Sequence, residues 1–196
     1  MRMLRAPGLA LTAALLPLLV AGCNSADGDE PAPRPSTSSS PSASASPTES
    51  ASTPVEPTLP AEAKEPTEAG ARAFIAYYWE LINYAQVTGD VAALARTSGP
   101  MCEGCNGGLQ IIERLYGSGG YATGGAYDVE IDKLTRAEIA GTQEIAYQAA
   151  LQVRNTEQVI VEGPEERSTQ RPGRSDVLVY TLWVNDRWRM DVMDVQ

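Results

Sequence analysis

Histidine is absent from the 196 residues of this chain. Its absence excludes Ser-His-Asp and Cys-His catalysis, imidazole proton transfer and histidine metal ligation. Aromatic residues are scarce, with one Phe, three Trp and eight Tyr, and none precedes Phe74. Residues 23–66 are instead dominated by Ser, Pro, Thr, Ala and Glu. Such a stretch buries too little apolar surface to offset chain entropy, so it reads as a disordered, semi-extended tether. Its Ser/Thr clusters, such as Thr37-Ser38-Ser39-Ser40, also suit glycosylation. Basic residues are in the minority, 15 against 25 acidic ones, for a formal charge of -10. That balance argues against nucleic acid as a partner and against adhesion to anionic lipid through basic patches. No cofactor motif is present, and no cofactor is expected.

Long apolar runs are missing except at the very start. Arg2 and Arg5 precede an apolar core from Ala10 to Leu19, followed by Val20-Ala21-Gly22-Cys23. A positive leader, an apolar core and small residues before a cut are the marks of an export signal. The core is shorter than the roughly 20 residues a spanning helix needs, and Pro17 interrupts it. The segment resembles a bacterial lipoprotein signal peptide over residues 1–22, with Val20-Ala21-Gly22-Cys23 as lipobox. The resemblance implies that Cys23 is acylated and becomes the mature N-terminus, on the extracytoplasmic face of the cell membrane. Acyl chains act as an anchor because each buried methylene contributes about 0.8 kcal/mol, and two chains hold stably where one does not.

The remaining residues, 67–196, are enough for one core. Thr67 is a plausible N-cap, and from there to Val87 the spacing is helical. Phe74, Tyr78, Leu81 and Ala85 form one stripe, flanked by Ile75, Trp79 and Ile82 and by Tyr77 and Tyr84. The apolar arc exceeds what a surface helix needs, which predicts a helix enclosed on several sides. Gly89 suits its end and Asp90 the cap of a short second helix from Val91 to Thr97. A third helix is expected over 107–116. Gly117 to Gly125 reads as a connector; it lacks the Gly-Lys-Ser/Thr ending of a phosphate loop. Tyr127–Ile131 and Ile145–Val153 alternate as strands. Val159-Ile160-Val161 either extends the second of these or pairs back on it. Residues 163–175 read as a loop, Val177–Val184 and Trp188–Val195 as strands, and Asn185-Asp186 as their hairpin turn. Helices followed by strands give an α+β domain, with the helices on one face of an antiparallel sheet.

This order of elements resembles the NTF2-like (cystatin-like) cone fold, in which a curved antiparallel sheet wraps a long first helix. The hairpin from Val184 to Met190 is similar to the closing hairpin of such domains. More narrowly, the chain resembles a family of uncharacterised actinobacterial lipoproteins. That likeness rests on the lipobox, the tether, Phe74-Ile75-Ala76-Tyr77-Tyr78-Trp79, Asn83-Tyr84-Ala85, Thr88-Gly89-Asp90, Cys102-Glu103-Gly104-Cys105 and the paired glycines. It implies location and fold, with no activity attached. The superfamily includes isomerases and cyclases that use a pocket carboxylate as base, and it often dimerises through the outer sheet face. A homodimer is therefore among the expectations.

Cys102 and Cys105 form the one chemical motif of the folded part. If Cys23 is acylated, they remain as an even pair in an oxidising compartment, which favours a structural disulfide. A redox dithiol is the rival, since Cys105 lies near a helix start. A metal site within the chain is disfavoured, because two thiolates without histidine cannot complete a tetrahedral zinc shell. Phe74, Tyr78, Trp79, Tyr116, Trp183 and Trp188 either fill the core or line a pocket for an apolar ligand. Glu80, Asp191 and Asp194 are the carboxylates to test as catalytic groups, and each reads better as solvated. The leading expectation is a lipid-anchored, extracytoplasmic, non-enzymatic module that binds an envelope protein or a small apolar ligand. The rival is an enzyme, either cyclase- or isomerase-like or a thiol oxidoreductase at Cys102 and Cys105.

Overall fold

Thr67 begins the first helix as its sequence suggests: its Oγ1 accepts from Gly70 N at 3.0 Å. In the computed structural model, which describes residues 53–139, 141 and 143–196, this helix, α1, runs Glu68–Thr88 and ends at Gly89 with φ 78°. Asp90 Oδ1 accepts from Ala92 N at 3.0 Å and opens α2, Ala92–Thr97. The third helix, α3, spans Glu103–Gly117, four residues earlier than expected. Two local features explain the earlier start. Cys102 Sγ accepts from Cys105 N as a cap would. Gly104 lies so close to the Met193 carbonyl that a Cβ would collide with it. Glycine there serves close packing and is not a sign of loose backbone.

Among the described residues seven strands follow: β1 Tyr121–Gly124, β2 Tyr127–Ala137, β3 Ile145–Asn155, β4 Gln158–Val161, β5 Arg167–Gln170, β6 Gly173–Val184 and β7 Arg187–Val195. They form a four-stranded sheet ordered β2-β3-β6-β7 and a three-stranded one ordered β1-β4-β5, antiparallel throughout. The expected arrangement of helices against antiparallel strands is present, although a single sheet was expected. The glycine connector contains β1, and the charged loop contains β5. Val159-Ile160-Val161 follows the first of the two readings, continuing the β3 strand past a kink as β4. The chain leaves β3 at Thr156-Glu157 and enters the second sheet.

That crossing is a corner. Gly124 and Gly125 adopt φ 71° and 75°, a region that L side chains avoid. A Cβ on Gly124 would strike the Glu157 carbonyl. Backbone bonds continue across the bend, from Gly125 N to Glu157 O at 2.8 Å and from Thr156 N to Ala126 O at 3.0 Å. Paired glycines at a defined position are a means of turning a sheet sharply.

The far end closes with the hairpin turn at Asn185-Asp186, where φ is 51° and 57°. Two successive positive φ values make a type I′ turn, matched to strand twist.

Alternate positions of β3 and β6 are buried: Tyr147, Ala149, Leu151 and Val153, then Val177, Val179 and Thr181. Against them lie Phe74, Ile75, Tyr78 and Leu81 of α1, all nearly fully buried. The helix touches β1, β2, β7, α2 and the 3₁₀ turn Glu62–Lys64, in keeping with the wide apolar arc read from its sequence. The opposite face of β6 presents Leu178, Tyr180, Leu182 and Val184, each half-buried.

The domain also begins earlier than Thr67. Ala63 is 2% exposed, Leu59 packs on the core, and Trp188 Nε1 donates to Glu65 O at 3.0 Å. The last part of the stretch assigned to the tether thus belongs to the fold. Lack of aromatics does not mark disorder where Leu and Ala suffice. Residues 1–22, Cys23 and the tether as far as residue 52 lie outside the described residues. Among the described residues no helix is long and apolar enough to cross a membrane.

A buried amide network holds the corner. Gln86 Nε2 donates to Gly125 O at 2.8 Å, and Gln158 Nε2 donates to Gln86 Oε1 at 3.0 Å. Asn83 donates to Tyr127 O at 2.9 Å and accepts from Tyr127 N at 2.7 Å. Gln86→Ala leaves two buried polar groups unmatched, at about 1–3 kcal/mol each. The expected loss is about 2–4 kcal/mol of unfolding free energy, read by urea denaturation.

Candidate functional site

One cavity stands out where α1, α3 and the strand ends meet. Its volume is about 380 Å³, within the range of about 300–1,000 Å³ typical of ligand pockets. Tyr78, Leu94, Leu109, Val153 and Val177 form its buried floor. Asn155, Gln170, Arg171 and Ser175 lie toward its exposed rim. The floor follows from two periodicities. Leu109 and Ile112 share a face of α3 at i, i+3, while Val153 and Val177 are inward positions of paired strands.

The six aromatic candidates separate. Tyr78 and Trp79 line the cavity. Phe74 is core, 6.1 Å from the Tyr78 ring. Tyr116 serves the corner: its hydroxyl donates to Gln86 O at 3.0 Å and accepts from Ala122 N at 3.3 Å. Trp183 and Trp188 pack edge to face near the hairpin, their centroids 5.3 Å apart, with Tyr147 5.9 Å from Trp188. Sequence reasoning weighted aromatics and passed over the aliphatic floor. The α3 face was visible in the helical spacing, but the meeting of β3, β6 and β7 ends was not.

Tyr78 is 1% exposed. Ser98 Oγ donates to Leu94 O at 2.8 Å, so the 2.7 Å bond between Tyr78 and Ser98 has the tyrosine as donor. Burial pushes the Tyr78 phenol up to about 12, and the Ser98 bond only partly opposes this. Burial raises Tyr127 as well. Both phenols are therefore neutral at ordinary pH and cannot serve as bases. Trp79 stands edge-on to Tyr127 with centroids 5.4 Å apart, and its buried Nε1 has no acceptor among the described residues.

Among the described residues no Asp or Glu lines the cavity. Glu80 and Asp194 are exposed, and Asp191 is clamped by Arg189, with Nη2 2.8 Å from Oδ2. Cys102 and Cys105 are disulfide-bonded with a Cα–Cα separation of 5.2 Å, and they are 1% and 4% exposed. They sit in the first turn of α3, with Cys105 on the cavity wall. Among the described residues no three Cys, Asp or Glu side chains gather as metal ligands would.

These features define an α+β domain with a small apolar cavity between its helices and its sheet. The chain belongs to the family of unknown function DUF6318, which matches residues 43–194. No curated protein matches it. It is similar in structure to the intermembrane space region of the chloroplast protein ARC6, at a TM-score of 0.51 and 11% identity. That match covers 66% of this chain and 95% of the other. At such identity the likeness speaks for the fold alone.

The Tyr78 shift has a consequence for stability. A phenol raised from 10 to about 12 by folding holds its proton more tightly in the native state. Its contribution is complete below pH 10 and is lost as pH rises through about 12. Tyr78→Phe is expected to flatten the fall in stability between those limits by about 2–3 kcal/mol, read by urea denaturation at successive pH values.

Proposed function

We propose that this protein is a lipid-anchored, extracytoplasmic binding module of the cell envelope, non-enzymatic, whose domain is an NTF2-like cone holding a small apolar ligand. The observation that carries the reading is the cavity of about 380 Å³, walled mainly by aliphatic and aromatic side chains, with no carboxylate among the described residues that line it. A cyclase- or isomerase-like mechanism draws on a pocket base. The groups that would serve lie elsewhere, and the two pocket tyrosines are held neutral. A thiol oxidoreductase works through an accessible, low-pKa thiol, whereas this pair is buried. The order of three helices, the bent antiparallel strands and the closing hairpin support the cone.

Filling the cavity tests the reading. Leu109→Trp places an indole in the floor and is expected to lower the affinity for decanol at least about tenfold, by calorimetry, a loss of about 1.4 kcal/mol. Unchanged decanol binding in the folded variant would count against a ligand site. The anchor rests on the lipobox and is tested separately. Cys23→Ser is expected to move the chain from the membrane to the soluble fraction and to abolish incorporation of labelled palmitate.

A further inference from the structure

We infer that the ligand of this cavity is an anionic amphiphile, a single apolar chain ending in a carboxylate or similar acid, with its head held by Arg171. The inference rests on the cavity being a ligand site, as proposed above, and adds the chemistry of the ligand's polar end.

The charge distribution makes the case. The chain carries 25 acidic residues against 15 basic, yet among the described residues no acidic one lines the cavity. Among the described residues the one formally charged residue on its wall is Arg171. Among the described residues Arg171 enters no ion pair, and of the arginines without one it is the one that lines the cavity. In so acidic a protein an unpaired guanidinium at the rim of an apolar cavity is a position kept open to an anion.

Its placement is fixed from below. The Arg171 carbonyl accepts from Asn155 Nδ2 at 3.2 Å, which ties the residue to the end of β3. Ser175 and Gln170 stand on the same rim and supply neutral hydrogen-bonding groups beside the cation. The cavity is therefore polarised, with an aliphatic floor and a cationic, hydrogen-bonding rim. A guanidinium binds a carboxylate through two parallel N–H···O bonds, while the floor takes up the chain by burial alone.

The test uses the full chain with Cys23→Ser and three probes of one chain length, decanoate, decanol and decyltrimethylammonium, each titrated calorimetrically. The expected order is decanoate tightest by about tenfold, then decanol, then the cation, as a charge-assisted hydrogen bond implies. Arg171→Gln is expected to remove the decanoate advantage and leave decanol unchanged. Arg171→Glu is expected to favour the cation. Arg171 is exposed, so both variants should keep the native circular dichroism spectrum. Equal binding of decanoate and decanol, or a decanoate advantage that survives Arg171→Gln, overturns the inference and leaves the apolar-ligand reading standing. Absence of binding by all three probes overturns both.

Discussion

The Gln86 side chain is the constraint on which the arrangement of this domain depends. It is an uncharged amide, 7% exposed, at the last turns of a helix whose buried face is otherwise mostly apolar. Its two ends meet the two sides of one bend. The nitrogen holds the Gly125 carbonyl, and the oxygen receives the Gln158 amide. Water cannot substitute freely in so buried a place, so the bend must sit where the amide reaches. Asn83, one turn earlier, fixes the first residue of β2 by a reciprocal pair of bonds. Tyr116 ties the same helix end to α3. A network in which each member is satisfied specifies position more sharply than apolar contact does, because hydrogen bonds have direction and burial has none.

The cavity is a consequence of that corner. The strand ends that turn at Gly124–Gly125 and Thr156–Gln158 hold Tyr127, Val153 and Asn155 at a fixed height above α1. The α3 helix is pressed against β7 at Gly104 and stapled at its first turn, which prevents it from sinking into the remaining space. Aliphatic side chains then line a space that they do not fill. The disulfide contributes modestly to stability, as a loop this small closes little entropy. Its larger effect is to keep the helix start rigid beside the cavity wall.

Much of the fold was legible in the sequence because periodicity is a strong signal. The wide arc of α1 told of enclosure, and the Asn185-Asp186 pair told of a hairpin. Thr67, Gly89 and Asp90 each do locally what their side chains or backbone freedom permit. The failures share a cause. β1 and β5 are four-residue strands whose pairing comes from distant partners, and no local pattern encodes a partner. The start of α3 was hidden because Gly104 looks like a helix breaker when its neighbour Met193 is 89 positions away in the chain. The candidate site was half legible. Tyr78 and Trp79 were visible as aromatics, while Arg171 lay in a stretch read as loop, and only the topology brings it to the rim.

The edges of the larger sheet have unequal fates. Along β7 the segment at Ser98-Gly99 adds a parallel bridge at Met190, with Gly99 N bonded to Met190 O at 2.7 Å. That edge is therefore partly occupied by the protein's own backbone. Among the described residues the β2 edge has no such cover. It carries Asp128, Glu130, Asp132, Lys133 and Arg136, and a bulge breaks its register between Ile131 and Lys133. Charge and irregularity are how exposed strands resist templating by a neighbour. A border of this kind disfavours backbone pairing with the edge of a second such domain, so the larger sheet ends at β2 where a smooth apolar edge would invite continuation.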